Sequence, residues 1–234
     1  MIMDHKIFEF NEKRKNILFI VVAVLLHILS MYLVVYLQNV TYPRCSDLTY
    51  MILKFVLRWF YLLVPVCFMK IEHMTLKDIG ITKNKLPKQV IMGILVGSME
   101  AIVIVGLTVL LGFKEQLGQP LYENGWRYIV YFFYTIFAVG LFEETFFRGY
   151  LYKKLLDVRE AKWFAIIISS VIFGICHFVG GSSFLQNVPQ VLLATITGIF
   201  YCVLREKIRD FSLVSLIFMH GIYDFLIAFL VFVS

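Results

Sequence analysis

Charge is scarce in this chain. Only 16% of its 234 residues are Asp, Glu, Lys or Arg, against roughly 25% in soluble globular proteins, and 60% are apolar. A water-soluble globular domain is excluded. Cysteine is scarce as well. Cys45, Cys67, Cys176 and Cys202 contain no Cys-x-x-Cys pair and three of them fall in apolar runs, which argues against a disulfide framework and a thiolate zinc site. No internal repeat or low-complexity tract is visible, which weakens an inverted-repeat transporter. There is no His-Glu-x-x-His run either, so the common helical zinc-hydrolase motif is missing.

What the chain does have is long hydrophobic runs. A helix needs about 20 mostly apolar residues to cross a bilayer, and such runs lie near 17–37, 48–69, 89–112, 127–152, 162–179, 184–204 and 211–233. The expected fold is all-α, a polytopic membrane bundle of about seven transmembrane helices. It forms a single membrane domain over 1–234, with a core at about 127–233 and amino-terminal spans plus a connector over 1–126. The first run is followed by no small-residue cleavage site and reads as a retained span. Thr75 and Asp78 have capping-box spacing ahead of Gly80, predicting one turn of helix in the connector. Gly118, Pro120 and Gly125 predict an irregular connection over 113–126, and Gly180-Gly181-Ser182-Ser183 a tighter one. Pro189 predicts a kink in the sixth span, with protein rather than lipid around it.

The net charge of +6 does not point to nucleic acid, because the basic residues segregate. Sixteen of the 22, among them Lys13, Arg14, Lys70, Lys88, Lys153, Lys154, Arg205 and Arg209, fall on one side of the predicted spans. Only Arg44, Lys114 and Arg127 fall on the other. The positive-inside rule then predicts a multi-pass plasma-membrane protein with a cytoplasmic amino terminus and an external carboxyl terminus. Its partners would be the lipid bilayer and a membrane-associated peptide or protein.

Against this background the polar residues inside spans stand out, since each charge at bilayer depth costs at least ~2.5–3.5 kcal/mol. The fourth span carries Glu143, Glu144 and Arg148, the fifth Phe173 and His177, and the seventh His220 and Asp224. At 1.5 Å per residue, Glu143, His220 and His177 lie about 13, 15 and 22 Å from the cytoplasmic ends, close enough to meet among helices four, five and seven. Glu144 and Arg148 are four apart on one face and can neutralise each other, which leaves Glu143 unpaired as a candidate general base. His220 and Asp224 have the same spacing, so the carboxylate can orient the imidazole or both can face one ligand. Arg58 and Glu100, at matching depths on the second and third spans, predict a separate structural ion pair. His27, alone on the first span, reads as a packing residue.

Glu-Glu-x-x-x-Arg, Phe-x-x-x-His and His-x-x-x-Asp on successive spans resemble the CPBP (Abi) family of intramembrane proteases, which includes the CAAX prenyl endopeptidases and bacteriocin-processing and self-immunity proteins. The resemblance covers about Phe133 to Phe229, with Leu76-Lys77-Asp78-Ile79-Gly80-Ile81 as a further recurring element. It implies that Glu143 and His177 activate a water, that His220 and the residue at 224 stabilise an oxyanion, and that Glu144 and Arg148 support the site or hold the substrate's end. The prenyl endopeptidase branch has Asn where this chain has Asp224, and an ionised carboxylate cannot donate to an oxyanion, so Asp224 is expected to orient His220 or bind metal. Two cofactor readings stay open: none, or Zn2+ on Glu143, His177 and His220. Aspartyl and rhomboid-like serine chemistries lack their motifs: no Gly-x-Gly-Asp is present, and neither Gly97-Ser98-Met99-Glu100 nor Gly180-Gly181-Ser182-Ser183 has glycine after the serine. A non-catalytic scaffold or self-immunity protein and a proton-coupled transporter are the alternatives to an intramembrane endopeptidase.

Overall fold

A computed structural model describes residues 2–112, 124–178 and 183–233. The connections expected at 113–126 and 180–183 therefore lie mostly outside the described residues. Among those residues the architecture is helical throughout: α1 (Ile2–Thr41), α2 (Asp47–Arg58), α3 (Phe60–Ile71), α4 (Leu86–Leu110), α5 (Arg127–Val158), α6 (Lys162–Cys176), α7 (Phe184–Lys207) and α8 (Leu213–Val233). Six spans, with α2 and α3 counting as one, are long and apolar enough to cross a membrane. The exception is the fifth expected span. It stops at Cys176 after 15 residues, about 22 Å of helix, short of a ~30 Å hydrocarbon core. His177 is thus held at the end of a helix too short to cross on its own.

The helices are brought together by small residues, since in lipid close backbone approach and packing replace the hydrophobic drive. Gly93 and Gly97 of α4 abut the backbone of Ser215 and Met219 on α8, its most extensive partner, and Gly140 of α5 abuts Ile217 and Gly221 of the same helix. Helix α8 is therefore wedged between α4 and α5. Helices α6 and α7 form a hairpin, and α1 packs on α3 and the carboxy-terminal end of α5.

The connector between α3 and α4 forms the capping box: Asp78 Oδ2 accepts from the Thr75 backbone N–H and hydroxyl at 2.6 Å each. The residues after this cap form a turn and not the expected helix. Ile81 N donates to Leu76 O at 2.8 Å and Gly80 N to Lys77 O at 3.0 Å, with Gly80 at φ +89°, the hydrogen-bond pattern that closes a helix placed directly after its start. The Thr75 hydrogen bonds hold the Asp78 carboxyl below its ordinary range. Ile79 at the tip is fully buried beneath Gly149 and Leu213, so the turn plugs that end of the core. Asp210, before α8, accepts from Lys88 at 2.7 Å and Lys85 at 3.1 Å, and these ammonium groups hold its carboxyl down to about 2. A lowered folded value means that this tie is fully present above the usual carboxylate range and is lost only as pH falls toward 2.

Pro189 lies inside α7 but on an exposed face, contrary to the expectation that protein surrounds it. It falls early in a helix that opens with a Ser183–Gln186 capping box, where few turns precede it to be disturbed.

Candidate active site

Helix α5 carries three of the candidate residues and is not uniform. Leu141–Glu144 is α-helical between two π-helical stretches, Thr135–Gly140 and Thr145–Leu151. Such wide turns are rare and concentrate at functional sites. They disturb the i to i+4 ladder, and one carbonyl so affected, that of Arg148, accepts from Arg205 Nη1, whose Nη2 donates to Ile79 O at 3.1 Å. Arg205 thereby ties the connector turn to the helix that presents the carboxylates.

Glu144 and Arg148 form the expected pair, Nη1 to Oε1 at 2.9 Å, sealed at 0% and 1% exposure. The guanidinium lies 4.0 Å over the Phe173 ring and 5.4 Å from that of Tyr201, so its faces are covered by aromatic surface. The same Glu144 Oε1 accepts from His220 Nδ1 at 2.8 Å. Spacing along the chain gives no hint of this contact. A carboxylate only accepts, so Nδ1 carries the hydrogen and the free Nε2 points to the other side of the ring. There it stands 3.9 Å from Glu143 Oε2 and 3.6 Å from Asp224 Oδ2. Glu144, rather than Asp224, is the group that orients His220.

Glu143 is not unpaired, contrary to the expectation from helix spacing. Arg58 of α2 donates to its Oε1 at 3.3 Å. Oε2 is buried with no hydrogen-bond partner. The predicted Arg58–Glu100 pair does not form; Glu100 instead accepts from Tyr201 at 3.2 Å. Depth along the membrane made both carboxylates eligible for Arg58, and the rotation of α5 toward α2 decides for Glu143. Helices α2 and α3 break at Trp59, whose ring meets Phe142 edge-on at 5.2 Å, and this junction sets Arg58 beside Glu143. Glu143 and Asp224 keep 14% and 28% side-chain exposure, whereas Glu144 is sealed at 0%.

His177 follows α6 as its carboxy-terminal cap, with Nδ1 2.8 Å from Phe173 O. A carbonyl also only accepts, so His177 presents a bare Nε2. Phe173 meets the His177 ring at 4.4 Å and that of His220 at 6.4 Å, which places it between the imidazoles. His177 makes no hydrogen bond or ion pair with Glu143. Among the described residues no three His, Cys, Asp or Glu side chains converge as a metal-ligand set. Glu143, His177 and His220 as placed thus do not fit a zinc site. His27 is buried and stacked 3.8 Å from Phe146, in keeping with a packing residue.

The fold and this cluster define a multi-pass helical membrane protein with ionisable groups from α2, α5 and α8 gathered inside the bundle and His177 beside them. Residues 125–226 match the family described as Type II CAAX prenyl endopeptidase Rce1-like, a likeness consistent with a CPBP-family intramembrane protease. The family is one of CAAX-type membrane proteases, and the match spans all the candidate residues except Arg58. No curated protein and no solved structure matches the chain.

Proposed function

We propose that the protein is an intramembrane endopeptidase that hydrolyses a peptide bond in a membrane-associated peptide or protein, with Glu143 as general base. The observation that carries this reading is Glu143 Oε2, a buried carboxylate oxygen with no hydrogen-bond partner, facing His220 Nε2 across 3.9 Å. An unpartnered buried oxygen is costly, and a gap above 3.5 Å between polar atoms accommodates a bridging water. Arg58 on Oε1 fixes the plane of the carboxylate and leaves Oε2 to do the chemistry.

The water donates to Glu143 Oε2, with the bare Nε2 of His177 as a second acceptor. Its proton passes to Glu143 as its oxygen bonds to the carbonyl carbon. His220, in its imidazolium form with Nδ1–H on Glu144 and Nε2–H on the developing oxyanion, stabilises the tetrahedral intermediate, and Asp224 balances its charge from 3.6 Å. The C–N bond then breaks and Glu143 returns the proton to the leaving amine. Glu144 and Arg148 hold this arrangement without touching the substrate. Segregation of the basic residues supports a cytoplasmic amino terminus, an external carboxyl terminus and placement in the plasma membrane.

Hydrolysis leaves an isotopic mark. Membranes containing the protein, incubated in 18O-water, should yield a peptide whose new carboxyl terminus carries one heavy oxygen. A scaffold or a transporter produces no such peptide, so its absence under conditions of full expression contradicts the proposal.

A further inference from the structure

We infer that Lys54 and Arg58, one turn apart on α2, form a subsite that binds a carboxylate of the substrate. The two cations flank one aromatic ring: Lys54 Nζ lies 5.0 Å and Arg58 Cζ 5.5 Å from the centroid of Tyr134 on α5. Among the described residues only one of them has an acidic partner, since Arg58 meets Glu143. The one carboxylate on α2, Asp47, is engaged by Arg127 at 2.8 Å. Lys54 makes no ion pair or hydrogen bond with any described residue; its ammonium has only the ring face of Tyr134. A membrane lysine that merely seeks headgroups extends its amine toward the water interface, whereas this half-buried side chain is turned inward onto α5. Arg58 itself has a buried Nε with no partner.

A positive charge in apolar surroundings is stabilised by an anion that pairs with it closely enough to offset the desolvation of both. The substrate is the component that brings one. Lys54 and Arg58 leave α2 about one helical turn, 5.4 Å, apart along its axis, so a carboxylate at Lys54 would lie next to the arginine that orients Glu143. It would fix the register of the cleaved chain relative to Glu143. Both cations lie outside residues 125–226, so the amino-terminal half would supply specificity to chemistry carried by the other half. The inference rests on the endopeptidase reading for its meaning, but its test scores binding without turnover.

The test uses the detergent-solubilised full chain and pools of N-dodecanoyl tripeptides in three forms: free carboxyl terminus, carboxy-terminal amide, and amide with one Asp. The free acid or the Asp-containing amide should bind about tenfold more tightly than the neutral amide, in line with a charge-assisted contact. Which of the two does so identifies the carboxylate as terminal or side-chain. The preference should shrink below about twofold in Lys54→Gln and persist in Lys54→Arg. Equal binding of all three pools by the wild type, or an unchanged preference in Lys54→Gln, overturns the inference. So does stronger binding of dodecyl phosphate than of either carboxylate, which would make this a headgroup site. Loss of 18O-labelled product with the carboxylate preference intact would count against the endopeptidase reading alone.

Discussion

Glu143→Gln should insert and fold like the wild type and lose about a thousandfold in turnover. The substitution is nearly isosteric, and the amide oxygen still accepts from Arg58 Nη1, now 3.3 Å from Oε1. What disappears is the capacity of the second oxygen to take a proton. General-base contributions run from about 10^2 to 10^4, so a loss near the middle of that range is expected. Single-turnover cleavage in proteoliposomes, read beside the thermal unfolding of the same preparation, separates chemistry from folding. Retention of more than about a tenth of wild-type turnover would be incompatible with Glu143 as the base. Arg58→Gln is a weaker perturbation by the same logic, because it frees the carboxylate without removing it.

Arg148→Met should instead attack the fold. Breaking a buried pair from one side leaves an uncompensated charge, at about 3–5 kcal/mol. Here the group left behind is Glu144, at 0% exposure and with only the His220 Nδ1–H still on it, and the Phe173 and Tyr201 rings lose the guanidinium packed against them. The double variant Glu144→Gln with Arg148→Met removes the stranded charge and keeps an acceptor for His220 Nδ1. It should recover a large part of the lost thermal stability, though not activity, since the anchor of His220 becomes neutral. Thermal unfolding of the purified proteins in detergent checks both. If Arg148→Met unfolds at the wild-type temperature, or the double variant is less stable than the single, Glu144 is not held as described.

These two outcomes separate Glu143 from Glu144, the first the proposed base and the second sealed against Arg148. Half of that division was legible in the sequence. Glu144 and Arg148 pair because four residues bring them onto one face, and the contact at 2.9 Å reflects local geometry. The spans were legible because unbroken apolar runs and sparse charge leave few alternatives. The partners of Glu143 and His220 were not. Arg58 could match Glu100 or Glu143 by depth, and depth carries no information on which way a helix is rotated about its axis. The π turns on either side of Leu141–Glu144 change that rotation, and no residue pattern announced them. The bond from His220 to Glu144 joins residues 76 positions apart and depends on α8 lying close against α5, where Gly140 and Gly221 permit backbone contact. The fifth helix was expected to run to 179, and its stop at Cys176 reflects the His177 cap.

The central claim is that Glu143 performs hydrolysis on a membrane-associated substrate. It is tested most directly by comparing, by mass spectrometry, the membrane peptides of cells carrying either the wild type or Glu143→Gln at equal expression. At least one precursor should accumulate uncleaved in the Glu143→Gln cells, with its fragments present only in the wild type and cleaved at one bond. Identical peptide profiles in the two strains, with both proteins folded in the membrane, would contradict the claim.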